Sequence, residues 1–225
     1  MADDNKTVTI WGLASFPTMT AAEAYALSLK GDYPADDVAS AAPSVQLLVN
    51  EAQWDKFKTF CINTFLPYCV EQSKKGEKRD ALDAKEVKAL IEGLEGDLED
   101  QVYNTPAKPV HHKTAELAPQ CVASIKALGS KGVDFDIKAI VRSEDELSVP
   151  EPDLLQFPVI RPINVTNHSM YPGCAIAVTL NLYAYHNGKH PGFSAGASTV
   201  VVKDSDQPRF GGGVAVDESE IFLDD

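Results

Sequence analysis

Long apolar runs are missing from this chain: nothing in its 225 residues approaches the roughly 20 consecutive apolar residues that a helix needs to cross a bilayer. The opening "MADDNKTVTIWG" places acids early and has no apolar signal core, so nothing in it directs secretion. Cysteine is scarce and unpatterned. Cys61, Cys69, Cys121 and Cys174 include no CxxC pair, and Cys61 and Cys69, which flank "INTFLPY", are not in a zinc spacing. Without an oxidising route they read as reduced packing residues, and the sequons at Asn164 and Asn167 mean little. Adjacent His111 and His112 face different ways on any regular element. A zinc site drawn from them and the remote His168, His186 and His190 has no spacing to support it, so no metal and no cofactor is expected.

Catalytic signatures are missing too. There is no nucleophile elbow, no HExxH, and no Walker A lysine after the glycines at 211–213, where Val214 follows. The chain reads as built for binding rather than as an enzyme. Basic charge is also in deficit: 20 Lys and Arg stand against 33 Asp and Glu, a net −13 that at face value argues against nucleic acid. The distribution of that charge points the other way. The stretch from Asp80 to Asp100 carries −6 and the final "DESEIFLDD" carries −5, so these two segments hold −11 of the total. Lys108 to Arg142 holds six bases and three acids, and Arg161 to Phe210 four bases and two acids.

An apolar fraction of 44% supports an ordinary core, and no internal repeat is present. "KTVTIWGLASF" (Lys6 to Phe16) and "SVQLLV" (Ser44 to Val49) read as strands, and Asn50 caps a helix whose stripe is Trp54, Phe57, Cys61 and Phe65 until Pro67 interrupts it. "SKKGEKRD" is a charged turn. A second helix is expected over roughly Ala81 to Tyr103, and "TAELAPQCVASIKALG" is expected as a short helix ending at Gly129. From Val133 the character turns to β: "VDFDIKAIV", "FPVIRPINV", a long strand from Cys174, a hairpin at Asn187-Gly188, and a return strand from Phe193 to Lys203. The expected fold is mainly β with inserted helices. An OB-like Greek-key barrel over residues 1–216, with a helical insertion at about 51–129, fits the order of elements; an open α+β sheet is its rival. Residues 217–225 form a separate acidic tail.

The long strand carries the most distinctive pattern. In "AIAVTLNLYAYHNGK", Cys174, Ile176, Val178, Leu180, Leu182 and Ala184 share one face, while Ala175, Ala177, Thr179, Asn181, Tyr183 and Tyr185 share the other. The first is a core face; the second is small and polar until it ends in two rings. Those tyrosines either pack under a loop or against the inserted helices, or they stack on unpaired bases, which any base tolerates through its π-face. Lys189 across the turn, Phe193 at the start of the return strand, Lys203 at its end, and the small Gly192 and Gly196 favour stacking. Trp11 and Tyr171 are further candidate rings, and Arg142 and Arg161 further phosphate contacts. In the tail, Asp217, Glu218, Glu220, Asp224 and Asp225 surround Ile221, Phe222 and Leu223, more apolar surface than solubility requires. Such a segment can occupy the chain's own basic groove or dock a basic pocket on a partner.

"VIRPINV…MYPGCAIAVTLNLYAYHNGKHPGFSAGASTVVVKD…RFGGG" resembles the phage-encoded single-stranded DNA-binding proteins, a family long catalogued as a domain of unknown function. The matching pieces are Arg161-Pro162, Tyr171-Pro172-Gly173-Cys174, Leu182-Tyr183-Ala184-Tyr185, Gly192 to Gly196, and Gly211-Gly212, all in about the last third of the chain. The resemblance implies an OB-fold that binds single-stranded DNA without sequence preference, in phage replication, recombination or repair, in the cytoplasm of the host. It also implies that the acidic tail contacts phage or host replication proteins, and it is compatible with a homodimer. Two rivals use the same rings otherwise: a phage structural or accessory subunit would bury them at a protein interface, and an accessory subunit of an enzyme would make no DNA contact of its own.

Overall fold

In the computed structural model, residues 5–100, 104–111, 115–116, 118–140, 160–162, 172–187 and 190–203 are described. Strand β1 (Thr7–Thr18) alternates Val8, Ile10 and Ala14 inward against Thr7, Thr9, Trp11 and Leu13 outward. Its first half pairs antiparallel with β7 (Ala175–Asn187), and from Leu13 onward it pairs with β2 (Ser44–Asn50). The handover needs Gly12, where a Cβ would lie 2.6 Å from the Leu48 carbonyl oxygen.

β2 pairs with β4 (Cys121–Leu128), which also holds the two-residue strand β3 (Ala107–Lys108). A parallel seam, Ala127 to Ala195 and Leu128 to Gly196, joins β4 to β8 (His190–Gly196), and β8 returns antiparallel to β7. The circuit β1-β2-β4-β8-β7-β1 is therefore a closed five-stranded Greek-key barrel of the OB type. Off β7, the strands β9 (Thr199–Lys203), β5 (Asp136–Ile140) and β6 (Ile160–Pro162) continue the sheet beyond the barrel.

Helices enter on both sides of β2. Thr20 and Glu23 form a capping box for α1 (Ala21–Ser28), and Asn50 caps α2 (Glu51–Phe60) by accepting from the Gln53 N–H. Pro67 does not interrupt this second helix. A π-turn at Cys61–Phe65 lets the Leu66 N–H reach back to the Cys61 carbonyl, and α3 (Leu66–Lys74) continues with Pro67 in its first turn, where no donor is required. Trp54, Phe57, Cys61, Phe65, Leu66 and Cys69 are all buried, and Phe65 meets Phe193 of the barrel at 5.5 Å between ring centroids.

Three other expectations are corrected. The helix read over Ala81 to Tyr103 is α4 (Ala84–Glu95); Asp83 and Glu86 box its start, and the extended backbone at Gly96 stops it. The segment read as a helix ending at Gly129 is helical at Ala115 and Glu116 but from Cys121 is β4, because its buried residues Cys121, Ala123, Ile125 and Ala127 alternate between two barrel neighbours, β2 and β8. Among the described residues, the expected insertion thus holds α2, α3 and α4, with helical backbone also at Ala115 and Glu116, and from Cys121 it is barrel wall. The single return strand is two: β8 and β9 flank a break at Ala197-Ser198, beyond which β9 leaves the barrel for β5. The expected hairpin does form, with Asn187 opposite His190.

Candidate nucleic-acid interface

The strand β7 presents the two faces that its alternation predicts: Cys174, Ile176, Val178, Leu180 and Leu182 are buried in the barrel, while Thr179 and Asn181 are exposed and Tyr183 and Tyr185 are half-buried outside it. The tyrosine rings stand 6.5 Å apart between centroids, tilted by 45°. Register explains why they stay partly exposed. Tyr183 lies opposite Ser194, Tyr185 opposite Gly192, and Asn181 opposite Gly196, so β8 puts nothing large beside them.

Gly192 is required on a second count: a Cβ there would come within 2.7 Å of the Asn104 carbonyl oxygen, which accepts the Phe193 N–H at 3.0 Å, and 3.1 Å from Cζ of Tyr185. At Gly196 the nearest side-chain atom, Cε1 of Tyr183, is 3.7 Å from the Cβ position, which leaves room. Burial pushes the Tyr185 phenol above its usual range and the adjacent Tyr183 adds to this, so the ring stays neutral through physiological pH.

Tyr183 forms one wall of a groove of about 950 Å³. Its floor is Thr179 and Asn181, and its sides are the loops Leu128–Ser130 and Gly196–Thr199 together with Tyr68, Gln72 and Arg79 of the helical insertion. Asp80 ties the insertion down: its carboxylate accepts the Ala184 N–H at 2.9 Å and pairs with Lys6 at 2.5 Å, both partners being largely buried. None of Tyr68, Gln72, Arg79 and Lys6 is singled out by sequence patterning; the signal that pointed there is the base-rich "SKKGEKR", read only as a turn. A smaller hollow of about 220 Å³ lies on the outer face of β1, β2 and β4, among Gln46, Lys108, His111, Ser124 and Lys126.

Of the expected site residues, the structure brings Tyr183 and Tyr185 together and places Trp11 on the same outer surface, opposite Ala177 and half-buried. Six residues of strand separate Ala177 from Tyr183, about 20 Å. Phe193 is a correction. Expected as a stacking ring, it is 1% exposed, because it lies opposite Ala184 and so shares the inward phase of β8. Arg161 and Lys203 belong to β6 and β9, in the sheet extension outside the barrel; their side chains lie outside the described residues, as do Arg142, Tyr171, Lys189 and the tail from Asp217 to Asp225. No group of three or more His, Cys, Asp or Glu suited to a metal occurs among the described residues, and no helix among them is long and apolar enough to cross a membrane.

Solved structures of phage single-stranded DNA-binding proteins are among those this chain resembles. That of bacteriophage Enc34 is 14% identical, with 97% of this chain and 91% of its own covered and a TM-score of 0.47. The Enc34 protein in complex with single-stranded DNA gives 13% identity, 92% and 91% coverage and a TM-score of 0.49. The single-stranded DNA-binding protein gp2.5 of bacteriophage T7 gives 13%, 98% and 96%, and 0.41. These figures describe a likeness of fold at low identity. No protein-family model matches the sequence, and no curated protein matches it.

Proposed function

We propose that this chain is a non-enzymatic, sequence-independent single-stranded DNA-binding protein acting in phage DNA replication, recombination or repair inside the host cell. One observation carries the reading: a closed OB-type barrel bears a pair of partly exposed tyrosines, 6.5 Å apart, whose partner positions on β8 are only Gly192 and Ser194, and Tyr183 continues into a groove beside Gly196. A buried layer needs bulk at those positions, whereas a platform for flat bases needs them small. Bases stack on Tyr183 and Tyr185, and Trp11 extends the surface along β1. Arg142, Arg161, Lys189 and Lys203 contribute phosphate contacts, with Tyr171 as a further ring. The acidic tail, through Asp217, Glu218, Glu220, Phe222, Asp224 and Asp225, recruits phage or host replication proteins and competes with DNA for the groove. Single-stranded DNA is also the ligand for which the Enc34 and T7 proteins are named.

The test is a fluorescence titration of the full chain with an oligothymidine strand and with duplex of equal length, at low and moderate salt. The expected result is quenching by the single strand, weakening as salt rises, with little response to duplex. No response to either strand rejects the proposal.

A further inference from the structure

From the last residue of α3 to the cap of α4 the chain carries Lys74, Lys75, Lys78 and Arg79 within six residues, all four exposed. No six-residue window clear of these four holds more than two bases. A connector needs no such charge, and its placement is specific. Gly76 turns the chain with φ +75°, and Asp80 is the one non-glycine residue with positive φ among the described residues, at 55°.

That conformation has a partner set that accounts for it. Past Asn181, the edge of β7 that faces β1 runs out of strand: the Leu182 N–H still reaches the Lys6 carbonyl at 2.8 Å, but the Ala184 N–H is met by the Asp80 carboxylate. His186 then contacts the Ala81 carbonyl at 3.0 Å. Residues 80–81 therefore stand in for the missing strand, on either side of Tyr185. Ala184 lies between the two tyrosines in the chain, and Arg79 precedes its tether by one residue. Arg79 has its side chain 87% exposed and lines the same groove as Tyr183. Asp80 pairs with Lys6 and lies 3.9 Å from Arg79 Nε, and Glu77, which also lines the groove, is the one further acid beside the four bases of this turn.

We infer that the turn Lys74–Arg79 is the phosphate-binding edge of the tyrosine groove, and that Asp80 is the positioning residue that holds it there; this rests on the single-strand reading above. Guanidinium and ammonium groups at the rim bind the phosphates of a strand whose bases lie on the rings. The test compares the full-length parent with the double variant Lys78→Gln, Arg79→Gln, titrated with oligothymidine over a range of salt. The variant should bind about tenfold more weakly at low salt, and its log–log salt slope should be shallower by about 0.7 for each phosphate that the turn no longer neutralises. A slope equal to the parent's overturns the inference while leaving the function standing. A parent that binds no strand defeats both. Asp80→Asn keeps an acceptor for the Ala184 N–H and removes the ion pair, so the turn slackens and the slope becomes shallower. A variant that melts earlier with the parent's slope reduces Asp80 to a purely structural part.

Discussion

Replacing Tyr183 and Tyr185 together by alanine removes two half-exposed rings that the barrel does not need for its core. At about 1–3 kcal/mol per stacked base, the double variant should lose at least tenfold in oligothymidine affinity while its urea midpoint stays near the parent's; unchanged affinity rejects the platform. Phe193→Ala is the converse. That ring is buried and meets Phe65 at 5.5 Å, so its loss should cost about 3–5 kcal/mol of stability, read by denaturant unfolding. Two rings ten residues apart are separated in role by strand phase alone. A third residue-scale effect concerns pH. Burial, and after it the Asp80 carboxylate, push the Cys69 thiol from 9.0 up to about 12. The folded chain keeps this proton where the unfolded chain releases it, so the contribution is intact below pH 9 and is lost as pH climbs from 9 towards 12. Tyr185 acts in the same direction above its ordinary value of 10.0. Urea midpoints measured below and above pH 9 should fall with rising pH, and Cys69→Val should flatten the fall; parallel profiles for parent and variant would exclude the thiol as a source.

At the scale of elements, Gly192 decides whether the β7–β8 hairpin can sit against the segment at Asn104. Alanine there meets a backbone carbonyl oxygen at 2.7 Å, a group with no freedom to rotate away. Gly192→Ala should therefore cost about 1–3 kcal/mol by overpacking, whereas Gly196→Ala, whose Cβ would meet its nearest atom at an ordinary contact distance of 3.6 Å, should cost less; equal melting temperatures for the two variants would contradict this. The strands β1 and β7, which alternate, and β2, a short apolar run, were legible from sequence, as was the cap at Asn50, because each rests on local signals. β4 was not. Its "CVASIKAL" is rich in helix formers, and the small Ala123 and Ala127 suit the barrel interior only once β2 and β8, distant in sequence, stand on either side. Nor was the continuity through Pro67, which depends on the wider π-turn, or the break between β8 and β9, which depends on two different parallel partners. The candidate site divides in the same way: the tyrosine face is a period-two pattern on one strand, whereas Tyr68 reaches the groove because α3 packs on the core, and Arg79 stands next to the Asp80 tether, a contact spanning 104 residues to Ala184.

For the whole molecule, the net −13 and the proposed polyanionic ligand are reconciled by where the charge lies. The acids of α4 and its flanks, and those of the tail, are two separate blocks, and the base-rich turn falls between α3 and α4, beside the groove. In the proposed reading the acidic tail, tethered beside the base-rich turn, competes with DNA at a local concentration that dilution does not lower. Deleting Asp217 to Asp225 removes five acids and takes the net charge from −13 to −8. Both effects act in one direction, lifting a competitor and reducing long-range repulsion. The truncated chain should bind oligothymidine more tightly than the parent, and the gap should narrow as salt screens the competition. A gap that persists unchanged at high salt would mean that Ile221, Phe222 and Leu223, rather than the carboxylates, hold the tail in place, and a weaker complex after truncation would remove the tail from the groove altogether.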